Sequence, residues 1–174
     1  MTLPTPGVRL ASIFCLKALL LKVYRSTFPL LADIECLLAS AQPSFVNSPL
    51  EEVVDLLCRG RHYAWVGIFL ATGNDASQHP LCAGTDGQTQ AVPAQVILHG
   101  TRCKILISLK LASRELGVLS VESDRENAFG AEDRVLLEGV ADALARFLAG
   151  RGKYLARKAR QQTTASPSSQ ARVA

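Results

Sequence analysis

Apolar residues recur at three- and four-residue spacing from Phe28 to Ala41, where Leu30, Leu31, Ile34, Leu37 and Leu38 form one stripe; the pattern predicts a helix stopped by Pro43. A second stripe, Leu50, Val53, Val54, Leu56 and Leu57, follows Ser48-Pro-Leu-Glu51. That tetrapeptide reads as a capping box with proline at the first helical position, and the helix is expected to end near Gly60. The period then changes. Tyr63 to Ala71 is a near-continuous apolar run of strand length, closed by the turn residues 72–75. Leu81 to Ala83 predicts a short second strand, and Ala91 to Leu98, interrupted by Pro93, a third at a sheet edge. Arg102 to Leu111 alternates cleanly, with Cys103, Ile105, Ile107, Leu109 and Leu111 on one side. A turn at 113–115 is expected to join it to a partner strand as an antiparallel hairpin.

The segment from Glu115 to Glu138 carries the most information. Both faces of Leu116–Val121 are apolar or small, as in a central strand covered on both sides. Gly117 marks a bulge or a place where another backbone or a ligand comes close, and the simplest reading is tight packing of a helix over the sheet. A polar turn, 122–127, leads to Phe129, placed to pack back on the first turn of a helix, with Glu132 and Asp133 at its positive end. Leu136, Val140, Leu144 and Phe147 form that helix's apolar stripe, and Gly150 ends it.

Composition adds limits more than directions. With 174 residues, 48% of them hydrophobic, the chain can bury one core. The formal net charge of +4 is concentrated at one end, since six of the 19 Lys and Arg residues follow Gly150 and the remaining 13 stand against 15 acidic ones. No nucleic-acid surface is expected on the folded part, and no aromatic residues interleave with a basic run. Residues 1–27 read as an apolar and basic extension, 28–150 as the domain, and 151–174 as a basic, disordered tail, into whose first part, to about Gln162, the last helix is expected to continue as a solvated extension. Lys17 and Lys22 interrupt the apolar stretch 9–25 too soon for a membrane span or a signal peptide. Five cysteines without a CxxC pair give neither a zinc site nor a disulfide framework, and fit a reducing cytoplasm. His62 precedes the first strand without catalytic meaning, and His79 and His99 lie in predicted loops with no carboxylate or serine at triad-like spacing, so no catalytic base is expected; nor is a metal or a cofactor.

The order helix, helix, Trp-containing strand, short strand, two long strands and final helix resembles that of GAF domains over about residues 30–150. Tyr63-Ala-Trp-Val-Gly-Ile-Phe-Leu70 and Leu116 to Asp133 carry the likeness. The resemblance implies an α+β fold: a central antiparallel sheet of five to six strands, helices packed on one face and a ligand pocket on the other. It also implies sensing or interaction in signalling, and homodimerisation through helices 28–59 and 131–148. The middle section, 84–102, is short for the family, which implies a reduced pocket; Trp65, Ser108 and Gly117 are the candidate ligand-binding residues. The chain is especially similar to free methionine-R-sulfoxide reductases around the Trp65 and Gly117 strands. Those enzymes need a nucleophilic and a resolving thiol, for which Cys82 and Cys103 are the candidates, though neither stands in the family's cysteine motifs. The expectation is a non-enzymatic GAF-like module, with a thiol reductase as alternative and a domain recruited to a membrane surface by helix 9–25 as a second alternative.

Overall fold

The computed structural model describes residues 24–42, 48–61, 63–71, 78–85, 88–90, 100 and 102–164. The proposed membrane-surface helix, all but the last two residues of 9–25, and the expected edge strand at 91–98 lie outside them. No helix among the described residues is long and apolar enough to cross a membrane. The elements in chain order are α1 (Thr27–Ser40), α2 (Pro49–Gly60), β1 (Trp65–Ala71), β2 (Gln78–Thr85), β3 (Gln88–Gln90), β4 (Cys103–Leu111), β5 (Arg114–Ser123), α3 (Ala131–Ala149) and α4 (Lys153–Thr164).

The strands form one antiparallel sheet of order β3-β2-β1-β5-β4, so the fold is α+β with the glycine-bearing strand β5 held between β1 and β4. Register divides the side chains cleanly between two faces. Val66, Val121 and Ile105 lie in one row, Ile68, Leu119 and Ile107 in the next, and Leu70, Gly117 and Leu109 in a third. These rows share a core with Leu57 of α2 and with Leu136, Leu137, Val140 and Leu144 of α3, all without measurable exposure. The helices cover this inner face. The odd residues of β1, Trp65, Gly67 and Phe69, therefore point to the other side of the sheet.

α1 begins with Pro29 in its first turn, where a missing N–H costs nothing, and buries Leu30, Ile34 and Leu38 at four-residue spacing against α2 and α3. Its approach to α3 is close, for a Cβ at Gly139 would stand 2.7 Å from Leu31 Cδ2. The expected capping box of α2 does not form. Ser48 makes no side-chain cap, and the Glu51 amide donates to the Ser48 carbonyl at 2.9 Å instead. Phe129 does not staple onto its own helix either, because the matching position one turn in is Arg134. It packs on Tyr63, ring centroids 5.7 Å apart. The β4–β5 turn is Ala112–Ser113, earlier than the expected 113–115, with Ala112 in the left-handed region at φ 53°.

The segment after Gly150 is helical, as expected to about Gln162, but α4 is a separate helix that docks on the domain and not a solvated continuation of α3. Gly150-Arg151-Gly152 breaks α3, and a Cβ at Gly152 would meet Phe147 Cε1 at 2.5 Å. The chain thus turns tightly against α3, and α4 sets Leu155 and Ala156 on the edge of the core, near β2. Burial of these two side chains is what a solvated extension would lack.

Candidate functional site

The outer face of the sheet is built from three adjacent rows. Trp65, Glu122 and Lys104 form the first, Gly67, Ser120 and Leu106 the second, Phe69, Val118 and Ser108 the third. Glu122 and Lys104 pair across strands at 3.1 Å. Gly67 makes room for its neighbours. A Cβ there would lie 2.3 Å from the Trp65 ring and 2.8 Å from the Phe69 ring, so its absence lets both aromatics lie over the strand. Trp65 is 9% exposed and its ring centroid is 6.1 Å from that of Phe69. Between them sits Ser120, 2% exposed, whose Oγ has no hydrogen-bond partner among the described residues. A buried hydroxyl without a partner is uncommon, and it leaves this face one polar group free to hydrogen-bond. Two aromatic rings beside a hydroxyl are side-chain types that small-molecule sites use.

The sequence candidates do not converge on one point. Trp65 and Ser108 share the outer face, two rows apart. Gly117 lies in an inner row, and what approaches it is neither a ligand nor the expected helix but the backbone of the adjacent strand β1: a Cβ there would stand 1.9 Å from the Phe69 carbonyl oxygen. Ser120 escapes a reading of the sequence because serine in an apolar strand looks like a small filler; only the register places it beside Trp65 and Phe69.

The thiols lie elsewhere. Cys82 pairs with Ile68 and so faces the helices, fully buried. Burial, then the charge of Glu51 and the neighbouring Cys58, push its thiol far above the usual range. A thiol held protonated is a poor nucleophile. Cys58, also fully buried, donates to the Gly84 carbonyl at 3.8 Å. Cys103 is half-buried, pairs with Ser123 and shares its face of β4 with Ile105, again on the inner side. His62 and His99 fall outside the described residues, and among those described no group of three or more His, Cys, Asp or Glu side chains could hold a metal ion.

A second polar constellation joins three helix ends. Tyr63 donates to Asp133 Oδ1 at 2.8 Å, and Asp133 Oδ2 accepts from the Gly130 N–H at 3.1 Å. Arg61, 1% exposed, reaches Asp133 at 3.8 Å, donates to Thr27 Oγ1 at 2.7 Å and to the Tyr24 hydroxyl, and lies 4.4 Å from the centroid of the Tyr24 ring. Desolvation first, then the hydrogen bond to Asp133, raise the Tyr63 hydroxyl above its ordinary 10.0. Its folded-state value thus exceeds the unfolded one, so the contribution to stability is whole below about pH 10 and is lost as pH rises further. Tyr63→Phe is expected to remove up to about 1.4 kcal/mol per pH unit from the alkaline slope of stability. Urea unfolding at pH 8 to 11 checks this; parallel slopes for the two proteins would refute it.

No family model matches this chain, and no curated protein sequence matches it. A solved structure does: the free methionine-R-sulfoxide reductase of Neisseria meningitidis in complex with its substrate, at TM-score 0.57 and 16% identity. The match covers 72% of this chain and 89% of that one. The likeness is one of fold. It is a GAF-like fold, which agrees with the resemblance read from the Trp65 and Gly117 strands.

Proposed function

We propose that this chain is a non-enzymatic GAF-like module that holds a small ligand on the outer face of its sheet, within a reduced pocket, and serves in regulation as a homodimer. The observation that carries the reading is the division of the sheet. Trp65, Phe69, Ser108 and the unpartnered Ser120 lie on the outer face, whereas Cys82 and Cys103 belong to the inner one. A reductase needs its attacking thiolate within reach of the bound sulfoxide, and a sheet stands between the two. Dimerisation finds support in Phe28, 77% exposed on α1, and Val135, 52% exposed on the neighbouring α3, since large apolar side chains grouped in the open mark interaction sites.

The alternative, a thiol reductase of free methionine sulfoxide, draws on the fold likeness to an enzyme solved with that substrate. One assay separates the readings: purified protein with free methionine-R-sulfoxide and dithiothreitol, beside Cys82→Ser and Cys103→Ser. The expected result is no turnover in any of the three. Turnover lost in either variant would overturn the non-enzymatic reading, and sedimentation showing a monomer throughout the micromolar range would overturn the dimer.

A further inference from the structure

Away from the outer sheet face, a cleft of about 330 Å³ opens where α4 crosses the end of the β4–β5 hairpin. Its floor is apolar: Leu70 of β1 and Leu148 of α3 are almost fully buried, and Leu116 and Ala156 are half-buried. Its rim is cationic. Arg114 comes from the hairpin, and Lys153 and Arg157 from α4, all three exposed, and none of the described residues that line the cleft is acidic. None of the three cations forms an ion pair among the described residues, in contrast to Arg25, Arg59, Arg61, Arg102, Lys104 and Arg146. Lys153 and Arg157 are one turn apart on the same helix face, an arrangement that disfavours a helix through like-charge repulsion. Ala156, between them in sequence, turns to the same cleft.

From this we infer a second binding site, for a small amphipathic anion whose apolar chain lies on Leu70, Leu116, Leu148 and Ala156 and whose carboxylate is bound by Arg114, Lys153 and Arg157. The charge arrangement selects the head group: three cations lining one cleft, without an acidic partner among the described residues, repel one another until an anion enters, and a guanidinium binds a carboxylate with two parallel hydrogen bonds. The volume selects the tail, since it lies at the small end of ligand pockets and suits a medium-length alkyl chain rather than a whole lipid. The occupant is therefore a free carboxylate of the fatty-acid class. This site shares no residue with the outer face, so it stands or falls independently of the ligand proposed there.

The test is calorimetric titration of the full chain with decanoate, with acetate and decan-1-ol as head-only and tail-only probes. Decanoate is expected to bind saturably at one site per chain, and acetate and decan-1-ol at least about tenfold more weakly, since a charge-assisted bond and an apolar chain each carry that much. Lys153→Gln with Arg157→Gln is expected to weaken decanoate by about tenfold or more, and Ala156→Phe to block it by filling the floor. Thermal melts of both variants establish that they are folded. No saturable binding by the wild-type chain, equal affinity in the charge variant, or binding only to phosphatidylserine vesicles with none to free decanoate would each overturn the assignment.

Discussion

Alanine at Gly117 is expected to lower the unfolding free energy by about 4 kcal/mol or more, placing it among the most damaging single changes available to this chain. The added Cβ would stand 1.9 Å from the Phe69 carbonyl oxygen, 3.0 Å from its carbon and 3.1 Å from Leu70 Cα. All three are backbone atoms of β1, and β1 is paired on both sides, by β2 and by β5. No rotamer change relieves such a contact; the strands must separate and lose ladder hydrogen bonds on a central strand. Gly67→Ala is the instructive comparison. Its Cβ would meet the rings of Trp65 and Phe69, which can turn aside, so the expected cost is about 1–3 kcal/mol, the range for overpacking. Trp65 would move, and its fluorescence would report it. Denaturant titration of both variants is the measurement, and a Gly117→Ala protein as stable as Gly67→Ala would contradict the close approach.

That comparison also marks how far the sequence can be read. Periodicity locates α1, α2, β1, β4, β5 and α3 because each buries a stripe or row long enough to register as a pattern. It is silent about β3, whose Gln88-Thr89-Gln90 has no apolar residue to betray it. It also undersizes β2, since Gln78 to Pro80 belong to the strand only through pairing with β1. Gly117 stands out in sequence as a point of close approach, but only the fold says that a backbone, and not a ligand, comes near.

The faces of the sheet are less legible than its strands. Trp65 to Leu70 is apolar throughout, so nothing local tells which residues meet the helices. In β2 the register shifts between Ile68 and Phe69, whose partners are Cys82 and Pro80, leaving Leu81 as the extra residue. A single bulge therefore decides the phase of everything beyond it, and a one-residue slip exchanges the faces. For this reason Cys82 is a candidate nucleophile in sequence and an inner-face thiol in the fold. In α4 the helix is legible and its docking is not: the basic composition resembles a solvated extension, and the two side chains that dock it, Leu155 and Ala156, are too few to make a stripe.

The buried network around Asp133 is invisible in sequence for the same nonlocal reason, and it yields the second large prediction. In sequence Asp133 is a first-turn acid of α3; in the fold it also answers Tyr63 from 70 positions away and the buried guanidinium of Arg61. Asp133→Ala removes three things together: the only carboxylate paired with Arg61 among the described residues, the acceptor of the Tyr63 hydroxyl, and the bond to the Gly130 N–H at the start of α3. Leaving a buried charge without its partner typically costs about 3–5 kcal/mol. Asp133 retains 14% exposure and its contact with Arg61 is 3.8 Å, so the lower end, about 3 kcal/mol, is the expectation. Asp133→Asn keeps an acceptor and should lose less. Arg61→Met in the Asp133→Ala background should recover part of the loss, because the orphaned charge is then gone and Arg61 Nε, which has no partner among the described residues, goes with it. The readout is a double-mutant cycle by urea unfolding, and additive losses would show that Arg61 and Asp133 are not coupled. A strong coupling would identify this cluster as the brace that ties Tyr24 and Thr27, at the entry to α1, to the first turn of α3, and so aligns the two helices on which the proposed dimer depends.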